Sequence, residues 1–129
     1  MNPVIHFEMP YKDQKKLIEF YSKVFNWKMT TTGNEFANYV LAMTTDSDDK
    51  GPLKPGAING GFFEKDANKP DQIPSVVIEV EDINAYIQLI KEAGGEVLGE
   101  PVEIPQIGKY VSFRDTEGNR VSLLQPPKK

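Results

Sequence analysis

The chain carries a single histidine, His6, with a carboxylate, Glu8, two residues after it. Side chains alternate between faces along an extended segment, so this spacing sets imidazole and carboxylate side by side on one face. Imidazole exchanges a proton near neutral pH and also ligates divalent cations. The pair therefore suits a general base with its orienting carboxylate, or two ligands of a metal site. A third role is structural: a histidine bonded to a neighbour in a cavity or dimer interface, with Glu8 paired to a basic side chain. The residues alone leave all three open. Tyr39 and Tyr110 add a ring and a hydroxyl each, and a buried hydroxyl needs a polar partner. With Trp27 and Phe62 they could form an aromatic wall for a flat ligand, although Trp27 suits a packed core better. Arg114 and Arg120 flank a turn; an anionic ligand could reach them, but solvated hairpin-end charges are the plainer reading.

Other chemistries are excluded by what the chain lacks. It has no cysteine, so disulfides, thiolate zinc sites and cysteine nucleophiles are ruled out. Gly60-Gly61 is not followed by the Lys-Ser/Thr of a phosphate loop. Backbone crowding at a bulge or at a junction between modules explains those glycines better. No serine sits in a nucleophile elbow. Fifteen Lys and Arg against nineteen Asp and Glu give a net charge of −4, with both signs interspersed, which argues against nucleic acid or an anionic membrane as partner. No apolar run approaches the roughly 18 residues of a membrane span. The chain enters an apolar strand almost at once, without a basic leader, so the expected location is cytoplasmic.

The elements that must position these residues repeat. Asp13 and Asp82 each follow an apolar strand, Val4–Met9 and Ser75–Val80, and each precedes apolar residues at helical spacing. The first set is Leu17, Phe20, Tyr21, Val24 and Phe25; the second includes Ile83, Tyr86, Ile87 and Ile90. Both aspartates are placed to cap their helix, and Gly94-Gly95 ends the second. Further strands are expected near Trp27–Thr31, Phe36–Met43 and Ala57–Phe63, then near Glu96–Leu98, Lys109–Arg114 and Arg120–Gln125. TTDSDDKGPLKPG reads as an exposed loop, and Gly118 suits a hairpin turn. The pattern is βαβββ, linker, βαβββ within one domain over 1–129, with modules at about 3–64 and 75–126 and a linker at 65–74. That is an α+β class.

The strings IHFEMP, IEFYSKVFNWK, KEAGGEV and FRDTEGNRVSLLQP, together with this layout over residues 4–126, make the chain resemble the vicinal oxygen chelate superfamily. The likeness is to small glyoxalase/bleomycin resistance protein domains. It implies a curved, mainly antiparallel sheet around a cavity, with helices outside, and a homodimer. Alternation places Ile5, Phe7 and Met9 toward the first helix, leaving His6 and Glu8 on the concave face. Ser75, Val77 and Glu79 fall on the concave face of the second module, with Arg120, Ser122 and Leu124 of the last strand.

Metal-dependent members of this superfamily take ligands from the first and last strands of each module. His6 matches the first such position, but Ser75 and Ser122 stand at two others. AINGGFF offers glycines in place of a carboxylate, and Glu64 lies beyond the strand end. The resemblance therefore implies a metal-independent protein, without a cofactor, that binds a small organic molecule through His6, Glu8, Tyr39, Ser75, Tyr110 and Ser122. Whether it is an enzyme is left open. The alternatives are a metal-dependent lyase or dioxygenase of glyoxalase type and a non-catalytic interaction module.

Overall fold

The structure is a computed structural model, and it describes residues 1–128. The chain divides into two compact units, His6–Pro74 and the chain from Ser75 onward together with Met1–Ile5. Each is a βαβββ module of one α+β fold.

In the first unit, β1 (Val4–Tyr11) leads into α1 (Gln14–Phe25), followed by β2 (Lys28–Thr31) and β3 (Val40–Met43). A two-residue ladder of β4 (Ser47–Asp48) and β5 (Gly51–Pro52) comes next, then β6 (Asn59–Glu64). The Asp13 carboxylate caps α1 by accepting from Lys16 N at 3.1 Å, which satisfies one of the donors that a helix start leaves free. Asn26, at φ 58°, ends the helix in the left-handed region. The strands lie in the order β2-β3-β6-β1. β1 and β6 run parallel and the other two pairings are antiparallel. Tyr11, Val40, Ala42 and Phe62 form the buried core, with Phe7, Met9, Leu17, Ile18, Tyr21, Trp27 and Met29 packed on it. Trp27 stacks on Tyr21 with ring centroids 4.7 Å apart, so it is a core residue.

Two segments of this unit differ from the sequence expectation. The strand expected from Phe36 begins only at Val40: Asn34–Phe36 is a 3-10 turn, and Ala37 and Asn38 adopt positive φ, which breaks an extended run. The polar loop before β6 contains β4 and β5, tied down by Asn59, whose amide oxygen accepts from Thr44 N at 2.9 Å and whose amide nitrogen donates to Ser47 Oγ at 2.8 Å. Residues 65–74, expected as a linker, are a string of turns. Lys65 N donates to Tyr11 O at 2.9 Å, and the buried Gln72 side chain accepts from Asp66 N at 2.7 Å.

The second unit repeats the plan with β7 (Ser75–Glu79), α2 (Ile83–Glu92), β8 (Glu96–Ile104), β9 (Gly108–Arg114) and β10 (Arg120–Gln125). Asp82 caps α2 by accepting from Asn84 N and Ala85 N, and Gly94 takes φ +97° beyond its end. The strand order is β7-β10-β9-β8. β7 and β10 run parallel, and the remaining pairings are antiparallel. Val80, Ile83, Val111 and Leu123 form the core, covered by Ile78, Tyr86, Ile87, Ile90, Val97 and Phe113. β8 is much longer than the expected Glu96–Leu98. It continues past a register shift between Leu98 and Val102, where Gly99 at φ +86° supports a bulge and lets the strand resume. In the β9–β10 turn, the exposed Asp115 carboxylate accepts from Glu117 N and Asn119 N, both at 2.9 Å. The hydrogen bonds from Asn119 and Glu117 hold its pKa below the usual carboxylate range.

Candidate functional site

Phe7 and Met9 pack into the core beneath α1, so alternation turns His6 and Glu8 to the opposite face of β1. Tyr39, from the turn before β3, joins them. Its hydroxyl donates to Glu8 Oε2 at 3.0 Å and lies 3.0 Å from His6 Nε2. A phenol has one proton, and Glu8 Oε2 accepts it. His6 must then present Nε2–H to the phenolic oxygen, which leaves Nδ1 as an unprotonated acceptor. Glu8 is buried, and burial lowers the His6 pKa from 6.5 to about 4, so the imidazole is neutral at pH 7. A histidine with so low a pKa is a weak general base, whereas its free Nδ1 lone pair can accept a hydrogen bond.

Two glycines make this arrangement fit, for a reason other than the bulge or junction expected from the sequence. Gly60 lies level with Phe7, and a Cβ there would stand 2.4 Å from the Phe7 ring. Gly61 lies level with Glu8, and a Cβ there would stand 2.1 Å from the Tyr39 hydroxyl oxygen and 2.2 Å from its ring. Missing side chains on β6 thus make space for one ring on each face of the sheet. The turn that delivers Tyr39 is held by the Tyr11 hydroxyl, which donates to Asn38 O, and by Thr32 Oγ1, which donates to Tyr39 O at 2.6 Å. Burial, and after it the charge of Glu64, raises the Tyr11 pKa, so the hydroxyl keeps its proton for that bond.

A second polar cluster occupies the face of β9 and β10 opposite α2. Tyr110 Oη and Ser122 Oγ are 2.7 Å apart, Ser112 Oγ and Ser122 Oγ 2.9 Å, and Ser112 Oγ donates to Tyr110 Oη at 3.4 Å. Arg120 Nη2 reaches Ser112 Oγ at 3.5 Å. Ser112 and Ser122 are both buried. Ser112 is the member that sequence reading passed over, although its position two residues after Tyr110 puts it on the same face. Ser75 precedes by two residues Val77, which is level with Ser122, so it shares that face but enters none of these hydrogen bonds.

The structure thus brings His6, Glu8 and Tyr39 together in one unit, and Tyr110 and Ser122 together in the other. Phe62, 1% exposed, is core and not a ligand wall. Glu64 lies level with Tyr11, away from Glu8 along β1. A surface depression lined by Lys12, Lys65, Ala67 and Pro70 shares no residue with either cluster. Among the described residues, no group of three or more His, Asp or Glu side chains converges as a metal site would require. Among them, too, no helix is long and apolar enough to cross a membrane.

Comparison with known proteins agrees with this architecture. The family model for the glyoxalase/bleomycin resistance protein/dioxygenase superfamily matches residues 4–123. A glyoxylase-like domain-containing protein of Didymella fabae is 27% identical over 125 residues, covering 95% of this chain and 92% of that protein. A probable lactoylglutathione lyase of Vibrio cholerae is 29% identical over 125 residues, covering 95% and 89%. Among solved structures, methylmalonyl-CoA epimerase from Mycobacterium tuberculosis superposes with a TM-score of 0.69 at 14% identity, covering 97% and 88%, a likeness of fold alone. With the two βαβββ modules in place and the family model spanning nearly all of it, the chain belongs to the glyoxalase/bleomycin resistance protein/dioxygenase superfamily.

Proposed function

We propose that this protein binds a small organic molecule without a resident catalytic metal, through contacts from His6, Glu8, Tyr39, Ser75, Tyr110 and Ser122. The observation that carries the reading is the Tyr39 hydroxyl, held between His6 Nε2 and Glu8 Oε2 with its ring over Gly61. A metal site would need both of those groups and a further carboxylate. Among the described residues no third His, Asp or Glu converges with them, and the space above position 61 holds a ring. The residues present therefore do not fit a three- or four-ligand centre. What they offer a ligand is a hydrogen-bond acceptor at Nδ1, hydroxyls at Tyr110, Ser112 and Ser122, and aromatic edges.

Calorimetric titration with zinc, nickel and manganese, beside an assay for isomerisation of the methylglyoxal–glutathione adduct, tests this. The expected result is no stoichiometric submicromolar binding and no metal-dependent turnover. Tight binding with turnover would establish the second reading, a metal-dependent lyase, which the likeness to the Vibrio cholerae protein favours. The family likeness also supports a homodimer of about 29 kDa, twice the 14.5 kDa chain, which light scattering would measure.

A further inference from the structure

Arg114 and Arg120 lie directly opposite each other in the antiparallel β9–β10 register. Like charges so placed destabilise a strand pair. Arg114 has its charge compensated by Glu96, at 2.9 Å. Arg120 does not: it is only part-exposed, no carboxylate among the described residues pairs with it, and its hydrogen bond to Ser112 Oγ is a long 3.5 Å. A guanidinium has five N–H donors, so most of this fork is unspent, next to buried hydroxyls.

We propose that Arg120, with the Ser112 hydroxyl beside it, receives a carboxylate of the bound molecule, which makes the ligand a small organic acid. This deepens the ligand-binding reading above and rests on it. The planar fork matches a carboxylate bidentately. The hydroxyl cluster can supply one more donor. Its longest side is the 3.4 Å bond from Ser112 to Tyr110, so the Ser112 proton turns toward an incoming oxygen at the loss of the weakest contact. A phosphate dianion fits less well, since one uncompensated guanidinium on a chain of net charge −4 would leave half its charge unmatched.

The test is an NMR titration of the Arg120 Nε–H resonance with acetate and malonate, with acetamide and inorganic phosphate as comparators. Both carboxylates should shift the resonance saturably, acetamide should not, and phosphate should bind more weakly. Arg120→Gln should weaken malonate binding at least tenfold, and Arg120→Lys, which keeps charge without the fork, by less. No saturable shift, an equal response to acetamide, tighter binding of phosphate, or undiminished binding to Arg120→Gln would each overturn the proposal. If Arg120→Gln fails to fold, the wild-type titration decides alone. Tight metal binding together with Arg120-dependent malonate binding would remove the metal-free reading and leave this one standing. Metal-free protein with Arg120-independent malonate binding would do the reverse.

Discussion

Positions 61 and 122 are equivalent in the two modules, yet they dispose of their tyrosines differently. Gly61 lies level with Glu8 on β1 and Leu41 on β3; Ser122 lies level with Val77 on β7 and Ser112 on β9. Tyr39 and Tyr110 stand two residues before Leu41 and Ser112, so they are equivalent as well. With no side chain at 61, Tyr39 lies over β6 and bonds to His6 and Glu8 on β1. With a serine at 122, Tyr110 bonds to the Ser122 hydroxyl on β10 instead. The missing side chain at 61, together with His6 and Glu8 where the second module has Ser75 and Val77, separates a cluster that joins ionisable groups from a cluster of neutral hydroxyls beside an arginine.

The largest effect should come from removing that difference. Gly61→Glu puts a Cβ 2.1 Å from the Tyr39 hydroxyl oxygen and a carboxylate beside buried Glu8. Overpacking and an unpaired buried charge together should destabilise by about 4 kcal/mol or more in denaturant unfolding. Adding Tyr39→Ala should recover part of the loss, because the two positions share one volume. Additive losses would show that the ring does not occupy that space.

Next is the pH response, which should arise in the first cluster alone. The folded His6 pKa, about 4, lies below the 6.5 of an unfolded histidine, so between these values the unfolded chain binds the extra proton. The stabilisation from neutral His6 is complete above about pH 6.5 and is lost as pH falls toward 4. It amounts to roughly 3 kcal/mol at most. His6→Gln should flatten the stability curve over that window, and nitrogen-15 spectra should show an Nε2–H tautomer at pH 7. A histidine titrating near 6.5 would sink this account.

In the second cluster, Ser122→Ala removes a hydroxyl shared by Tyr110 and Ser112. A loss of about 1 kcal/mol is expected, with no change in the His6 titration. The smallest effect belongs to Glu96→Gln, which breaks the part-exposed Arg114 ion pair. Its stability cost should be under about 1 kcal/mol and should shrink in high salt, as chemical denaturation at two salt concentrations would read.

What the sequence determined by itself was local or periodic. The matched aspartates announced both helices, because a capping carboxylate and apolar residues at helical spacing need nothing distant to act. Alternation along β1 and β10 placed His6, Glu8 and Ser122 away from the helices, because the pleat has a period of two whatever the strand pairs with. Strand ends were less legible: left-handed Ala37 and Asn38 shortened β3, and the bulge at Gly99 carried β8 past Leu98, where the expected strand ended. The union of His6 with Tyr39, 33 residues away, was decided only by tertiary structure. It requires β6 to lie between their strands, in the register that puts Gly61 beneath the ring. A glycine in a sequence states that a side chain is missing, and only the packed sheet shows which neighbour uses the room.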